Sequence, residues 1–285
     1  MPSLLSILRL VRVGTVFSPA ADVVASAALA GLPCDGLVVR AALASASLYA
    51  AGMVWNDIAD RHVDARQRPE RPLPSGQVGL GFAVALGTAM LALALLLSPC
   101  RLHHAGLAAL VLAYDFLSKR LVVLAVLGMG LLRAGNLLTA ASIGATASAD
   151  HAGHVLVAAI GYGLYIVAVT VLGIAEDQQR PARSVVVLAQ LVPPVVVAGV
   201  LLHVQGGWWP APALAVLPLA LFVRRVAIVR DWSRGAIRAS MTWLLLGTML
   251  YTAALTLAAG EAWLAAGIAA AIVPARWIAR AIALT

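Results

Sequence analysis

The sequence predicts an all-α protein that crosses a membrane nine, or with its last apolar stretch ten, times. Three observations predict it. Hydrophobic residues make up 62% of the 285, only 11% are charged, and the mean hydropathy is +0.95. A soluble domain carries about 25% charged residues. Most of the apolar stretches run close to twenty residues, the length that spans a ~30 Å hydrocarbon layer as helix. The charges are also asymmetric. With the N-terminus on the cytoplasmic side, every Lys and Arg of the 20 except Arg40, Arg101 and Arg133 falls on a cytoplasmic segment, counting Arg276 and Arg280 as inside. That is the positive-inside pattern. It accounts for the formal net charge of +8 without nucleic acid, for which the chain offers no basic stripe interleaved with aromatics.

Helix 1 is expected over residues 13–32, with Arg12 at its cytoplasmic entry. Arg9 and Arg12 before an apolar run ending Ala28-Leu29-Ala30 imitate a cleavable signal, but Pro19 and Asp22 interrupt the run and favour a retained first helix. Helix 2 is expected over 37–55. Helix 3 covers 78–97, and Cys100 to His104 form an outer turn in which His103 and His104 are interfacial. Helix 4 covers 105–117 and helix 5 covers 121–147. In helix 5, Arg133 and Asn136 share a face three residues apart; a charged residue inside a span is a functional hypothesis. Helices 6 to 9 are expected over 155–175, 185–205, 209–226 and 239–258, with Trp208-Trp209 in an outer aromatic belt. Residues 261–283 form a tenth helix or a re-entrant tail. The loop carrying Arg224, Arg225, Arg230, Arg234 and Arg238 is read as topology and anionic-lipid contact. Cys34 and Cys100 both fall in outer loops; two unpaired thiols are expected in preference to a disulfide.

The longest polar run, residues 56–76, reads NDIADRHVDARQRPERPLPSG. On a helix, Asp57, Asp60 and Asp64 lie within about 60° of one face. Like charges in one stripe repel, so a cation belongs against them. Oxygen-only ligands without Cys or His suit Mg²⁺, which completes its shell with water and substrate phosphates. Arg61, Arg66, Arg68 and Arg71 follow, and guanidinium groups grip phosphate oxygens. Carboxylates for a metal beside arginines for phosphate, at a membrane face, point to a diphosphate ester with an apolar tail. The prolines at 69, 72 and 74 end the helical stretch.

NDxxDxxxD followed by RPLPSG resembles the first aspartate-rich motif of the UbiA superfamily of intramembrane prenyltransferases. ERPLPSG, YDFLSKR at 114–120 and LLRAGNLL at 131–138 look most like the EboC-type bacterial branch. The resemblance implies one domain over 1–285, a bundle around a cavity open to the cytoplasm, and residence in a bacterial inner membrane. It also implies Mg²⁺-dependent transfer of a prenyl group from an isoprenyl diphosphate to an unidentified small acceptor. Asp57, Asp60, Lys119 and Asp177 would then be catalytic. Asn56, Asp57, Asp60, Asp64, Glu176 and Asp177 would be the metal ligands. Arg12, Arg61, Arg68, Arg71, Tyr114, Lys119, Arg133, Asn136 and Arg180 would contact the diphosphate.

The chain departs from the family's pattern in two places. The Arg-Pro-x-Asn setting of the first arginine is Arg12-Val13-Gly14-Thr15, so Arg12 is either a phosphate ligand or a snorkelling interfacial residue. Of the second motif, D-x-E-D-x-x-G-D, only Glu176 and Asp177 remain, with Ile174 and Pro181 in place of flanking acids. Either Asp177 alone carries a second Mg²⁺, or Arg180 and Arg183 take part of the charge neutralisation. Lys119, the sole lysine, either pairs with Asp115 at i,i+4 or reaches the diphosphate. Arg133 and Asn136 have phosphate, an acceptor or Asp22 as candidate partners. Asp64 and Tyr114 are weak candidates for a general base. The other reading is a non-enzymatic carrier of a small or isoprenoid ligand. A CDP-alcohol phosphotransferase is set aside because no Gly-x3-Asp-x3-Asp follows Asp64-Ala65-Arg66.

Overall fold

The computed structural model describes residues 2–118, 121–144, 148–204 and 210–284, and among these every regular element is helical. Helices α1 (Leu4–Leu10) and α2 (Phe17–Leu29) are joined by a bend in which Arg12 takes a left-handed backbone, φ 49° and ψ 50°. A non-glycine residue there is strained. The Thr15 hydroxyl steadies the bend by donating to the Arg12 carbonyl at 2.8 Å.

α3 (Gly36–Gln67) is one unbroken helix of 32 residues, capped at its start by Asp35, whose side chain accepts from the Leu37 and Val38 amides. At 1.5 Å per residue it is about 48 Å long, well beyond the hydrocarbon thickness. The aspartate stripe therefore continues the spanning helix and is not a separate loop. Then follow α4 (Leu80–Leu97), α5 (Arg101–Ala113), a π-helical turn (Tyr114–Ser118), α6 (Val122–Leu137), the short α7 (Thr139–Ile143) and α8 (Ala149–Asp177). α9 (Arg183–Val204), α10 (Pro210–Ile228), α11 (Arg234–Ala258) and α12 (Ala262–Leu284) complete the chain.

Six of these helices are long and apolar enough to cross a membrane: α3, α4, α8, α9, α11 and residues 262–282 of α12. The pair from Leu4 to Leu29, bent by 47°, makes a seventh if it acts as one span. With 13 and 16 residues, α5 and α6 are shorter. The protein is thus a multi-pass integral membrane protein, while the expected nine or ten spans exceed the number that meet this standard.

Three expectations are corrected. The outer turn at 100–104 is mostly helix, because α5 starts at Arg101. His104 is not interfacial but fully buried; Ser98 Oγ lies 2.8 Å from its Nδ1 and Ser45 Oγ 3.1 Å from its Nε2. Helix 5 does not run unbroken, since α6 ends at Leu137 and a separate short helix, α7, begins at Thr139. Lys119, Arg120, Trp208 and Trp209 lie outside the described residues. Cys34 is exposed and Cys100 buried, both as free thiols.

α8 runs through the main core, where Leu137, Tyr162, Leu172, Leu201, Leu244 and Leu255 pack together. α2 and α3 meet through small residues: Val23 of α2, with Ala20, packs against Ala41 and Ala42 of α3. Without a water-driven hydrophobic force between spans, small side chains let backbones approach and gain dispersion contacts. Large apolar side chains such as Leu96, Leu131, Leu217 and Trp263 face outward, as a lipid solvent permits.

Candidate active site

Residues 68–79 fold back beneath the C-terminal end of α3. The Arg68 amide donates to the Asp64 carbonyl (2.8 Å), the Ser75 amide to Arg71 (3.0 Å) and the Val78 amide to Pro72 (2.9 Å). Gly76 supplies the left-handed turn with φ 76°. This fold swings Arg71 onto the aspartate stripe. Its Nη1 lies 2.5 Å from Asp64 Oδ2 and 3.5 Å from Asp57 Oδ1. Arg12 reaches Asp57 from the other side, Nη2 to Oδ1 at 3.1 Å. Both carboxylates are buried, at 4% and 3% exposure, while the Arg12 side chain remains 37% exposed. Two buried anions seven residues apart are thus compensated by two cations, Arg12 from the N-terminal bend and Arg71 from the loop that follows α3. The Ser6 hydroxyl donates to Gln77 Oε1 at 3.0 Å and ties α1 to the same loop.

Above this cluster opens a cavity of about 210 Å³ between α2, α3, α5 and α6. Arg12, Asn56, Tyr114 and Asp115 line its charged mouth. Leu48, Gly52, Leu107, Val111, Met129 and Leu132 form apolar walls, and Ser45, Tyr49, Arg133 and Asn136 add polar groups. The Tyr114 phenol lies in the field of both Asp115 and Asp60. Asp115 is buried at 4% exposure.

The candidate residues divide into four groups. The structure brings Arg12, Asp57, Asp64 and Arg71 into one ion cluster, with Asn56 and Asp60 on the same helix. Arg133 and Asn136 line the cavity but are held by Asp22, which is fully buried: Arg133 Nη1 stands 3.1 Å from Asp22 Oδ2, and Asn136 Nδ2 donates to the same oxygen at 2.9 Å. Arg133 Nη2 also donates to Ser18 and Tyr162, at 2.5 and 2.8 Å. Arg61 donates to the Ile58 carbonyl of its own helix, and Arg68 is exposed at the end of α3. At the end of α8, Glu176 is engaged by Arg238 (Nη2 to Oε1, 2.7 Å), while Asp177 and Arg180 are exposed. Among the described residues, no three of His, Cys, Asp and Glu gather as a group that could hold a metal ion. Asp115, which lines the cavity, and Asp22, buried behind it against Arg133 and Asn136, are acids that the sequence did not place among the site residues. The signal for Asp22 was its position inside an apolar span.

The chain matches the model of the UbiA prenyltransferase family over residues 17–246. A digeranylgeranylglyceryl phosphate synthase from Ignicoccus hospitalis is 43% identical over 93 residues, 32% of this chain and 29% of that protein, so the match spans less than a third of that curated relative. The fold is similar to a solved structure described as bearing on digeranylgeranylglyceryl phosphate synthase in membranes, with a TM-score of 0.64 at 18% identity over 89% of this chain and 97% of that one. A UbiA homologue from Aeropyrum pernix K1 is similar with a TM-score of 0.61, 20% identity and coverage of 87% and 96%. A UbiA homologue from Archaeoglobus fulgidus bound to DMAPP and Mg²⁺ gives 0.55, 17% identity and coverage of 88% and 99%. At these identities the structural likeness is one of fold.

Proposed function

The chain belongs to the UbiA prenyltransferase family, and from that premise we propose that it transfers a prenyl group from an isoprenyl diphosphate to a small polar acceptor, with Mg²⁺, inside the membrane. The observation that carries this reading is the mouth of the cavity, where Arg12 and Asn56 line the edge of an apolar chamber and Arg12 meets the buried carboxylate of Asp57, which Arg71 ties to Asp64. One end of the site suits phosphate and a divalent ion, and the other suits hydrocarbon.

The donor chemistry fits Mg²⁺. Asn56, Asp57 and Asp60 offer only oxygen from one helix, and a Mg²⁺ site uses one or two carboxylates with waters and phosphate oxygens. That is fewer acids than a cage built from protein alone. When bound, the ion supplies charge neutralisation to the departing diphosphate. The remaining steps belong to this chain. Arg12 and Arg71 hold the diphosphate oxygens through charge-assisted hydrogen bonds. The C1–O bond of the donor breaks, an acceptor oxygen bonds to C1, and diphosphate and one proton are released. Leu48, Val111, Met129 and Leu132 exclude water from the allylic cation. Asp115 stands at the mouth, where its carboxylate is placed to take the acceptor's proton, with the Tyr114 phenol beside it as a hydrogen-bonding group.

The Ignicoccus hospitalis relative is named for a glyceryl phosphate product, and the EboC-type likeness of the motifs also points to a polar, non-aromatic acceptor. We read the whole chain as one transferase domain in a bacterial inner membrane with this mouth on the cytoplasmic side, a reading that the charge asymmetry supports. The second reading, a carrier on the same fold, is favoured by one observation: Glu176 of the depleted second motif is tied to Arg238.

The test is binding of geranylgeranyl diphosphate to purified protein with and without Mg²⁺, wild type beside Asp57→Ala. Binding that needs both the ion and Asp57 supports the donor site. Binding that ignores both moves the carrier to first place.

A further inference from the structure

The resemblance to the family implies metal ligands at the ends of two helices, Asn56, Asp57, Asp60 and Asp64 on α3 and Glu176 and Asp177 on α8. The two ends are built differently. On α3, Arg12 and Arg71 reach a stripe of three carboxylates, and Asn56 lines the mouth of the cavity. At the end of α8, two arginines of α11 converge on Glu176 alone. Arg238 holds one carboxylate oxygen from two nitrogens, Nε to Oε1 at 2.8 Å and Nη2 to Oε1 at 2.7 Å. Arg234 donates from Nε to the Glu176 carbonyl at 3.2 Å, where the negative end of the helix dipole favours a cation. The Glu176 side chain is only 13% exposed, so its carboxylate is turned into this ion pair and away from solvent.

The surroundings of Glu176 are cationic as well. Residues 176–183 and 224–238 carry seven arginines against three acids, Glu176, Asp177 and Asp231. Hydrogen bonds gather these segments. Arg183 donates to the Arg230 carbonyl at 3.5 Å, and Arg225 donates to the Ser240 hydroxyl and the Ala236 carbonyl of α11 at 2.8 and 2.9 Å. A divalent cation at Asp177 would enter a field of its own sign. It would also have to displace Arg238 to gain a second carboxylate. Among the described residues, none of α8 or α11 lines the cavity.

We propose that the site takes one Mg²⁺, held from α3, and that Arg238 closes the end of α8 to a second ion by occupying Glu176. The inference rests on the prenyltransfer reading and deepens it. The charge of the departing diphosphate is then met by a single ion together with Arg12 and Arg71. The acids left from the second motif serve instead as a latch, through which α11 holds the end of α8.

The experiment counts bound Mn²⁺, a paramagnetic substitute for Mg²⁺, by electron paramagnetic resonance. The purified protein is saturated with geranylgeranyl thiodiphosphate, a donor analogue whose C1–S bond resists cleavage. One Mn²⁺ per chain is expected in wild type, still one in Glu176→Gln and in Asp177→Ala, and none in Asp57→Ala. Arg238→Gln is expected to gain a second, weaker ion, because the Glu176 carboxylate is then released beside Asp177. Two ions in wild type, or a count that falls in Glu176→Gln or Asp177→Ala, overturns the one-ion site. An ion retained in Asp57→Ala overturns its assignment to α3, and a count unchanged in Arg238→Gln overturns the role of Arg238. A wild type that binds no Mn²⁺ with the analogue overturns the prenyltransfer reading itself, an outcome distinct from a count of two.

Discussion

Arg71 Nη1 bridges Asp64 and Asp57, at 2.5 and 3.5 Å, although the two carboxylates are two helical turns apart. One guanidinium from the RPLPSG loop thereby neutralises the inner face of α3, and Arg12 completes the neutralisation from the N-terminal bend.

Replacing Arg71 by lysine keeps the charge and removes the planar fork. Charge-assisted hydrogen bonds are each worth about 1.5–3 kcal/mol. Arg71→Lys is therefore expected to weaken donor binding by ~10-fold or more while the protein still purifies as a folded species. Titration of geranylgeranyl diphosphate against both proteins in detergent measures it. Equal affinities would show that the loop arginine only compensates Asp57 and Asp64.

Asp22 and Arg133 form the buried ion pair of the span region, supported by Asn136, Ser18 and Tyr162. Removing one partner leaves a charge without compensation, which costs about 3–5 kcal/mol. Asp22→Ala and Arg133→Met are each expected to lower unfolding stability in detergent by that order, and the double variant by less than the sum. Additive losses would mean that the pair is not coupled.

Gly14 sits against the C-terminal helix. A Cβ there would lie 2.8 Å from Ala279 Cβ and 2.9 Å from its backbone. Arg9 fixes the same junction by donating to the Ile282 carbonyl at 3.0 Å. Gly14→Val is expected to cost about 1–3 kcal/mol by overpacking and to raise KM for the donor, because the bend that presents Arg12 must shift. Thermal unfolding and donor saturation curves read both effects. A variant unchanged in both would separate α12 from the site.

Cys34 precedes Asp35 in the loop between α2 and α3, on the side opposite the charged mouth. Partial burial, with Asp35 and Glu261 nearby, pushes its thiol above the ordinary cysteine value. The thiolate is the reactive form, so a raised pKa means slow alkylation near neutrality. The rate should rise close to tenfold per unit between pH 7 and 8.5. An impermeant maleimide added outside intact cells is expected to label Cys34 and spare buried Cys100. Labelling only after permeabilisation would invert the topology.

The long spans were legible because their chemistry is local: apolar length and flanking charge locate a membrane helix without knowledge of its neighbours, whereas the expected count of nine or ten was not met, six or seven helices being long and apolar enough. The stripe of Asp57, Asp60 and Asp64 was legible for the same reason, since the helical period alone sets the face. Arg71 could not be singled out among four arginines. Its place depends on the Val78 amide reaching back to Pro72 and on the turn at Gly76, a fold of the loop upon itself. His104 was misplaced at the interface because Ser45, its partner on α3, is 59 residues away. The short helix α1 was missed; Ser3, whose side chain accepts from the Ser6 amide, is its only strong local signal. Arg133 stood out as a charge inside a span, but its pairing with Asp22 is a tertiary fact among several partners that sequence left open.

The most direct measurement is diphosphate release from a geranylgeranyl donor in proteoliposomes supplied with Mg²⁺ and a lipid-extract acceptor, comparing wild type with Asp57→Ala, Asp60→Ala and Asp177→Ala. Turnover is expected in wild type, with its loss in the two α3 variants while the fold is retained, and a smaller loss in Asp177→Ala, whose side chain is exposed at the end of α8. Full turnover in Asp57→Ala and Asp60→Ala would contradict the assignment of the chemistry to the α3 stripe.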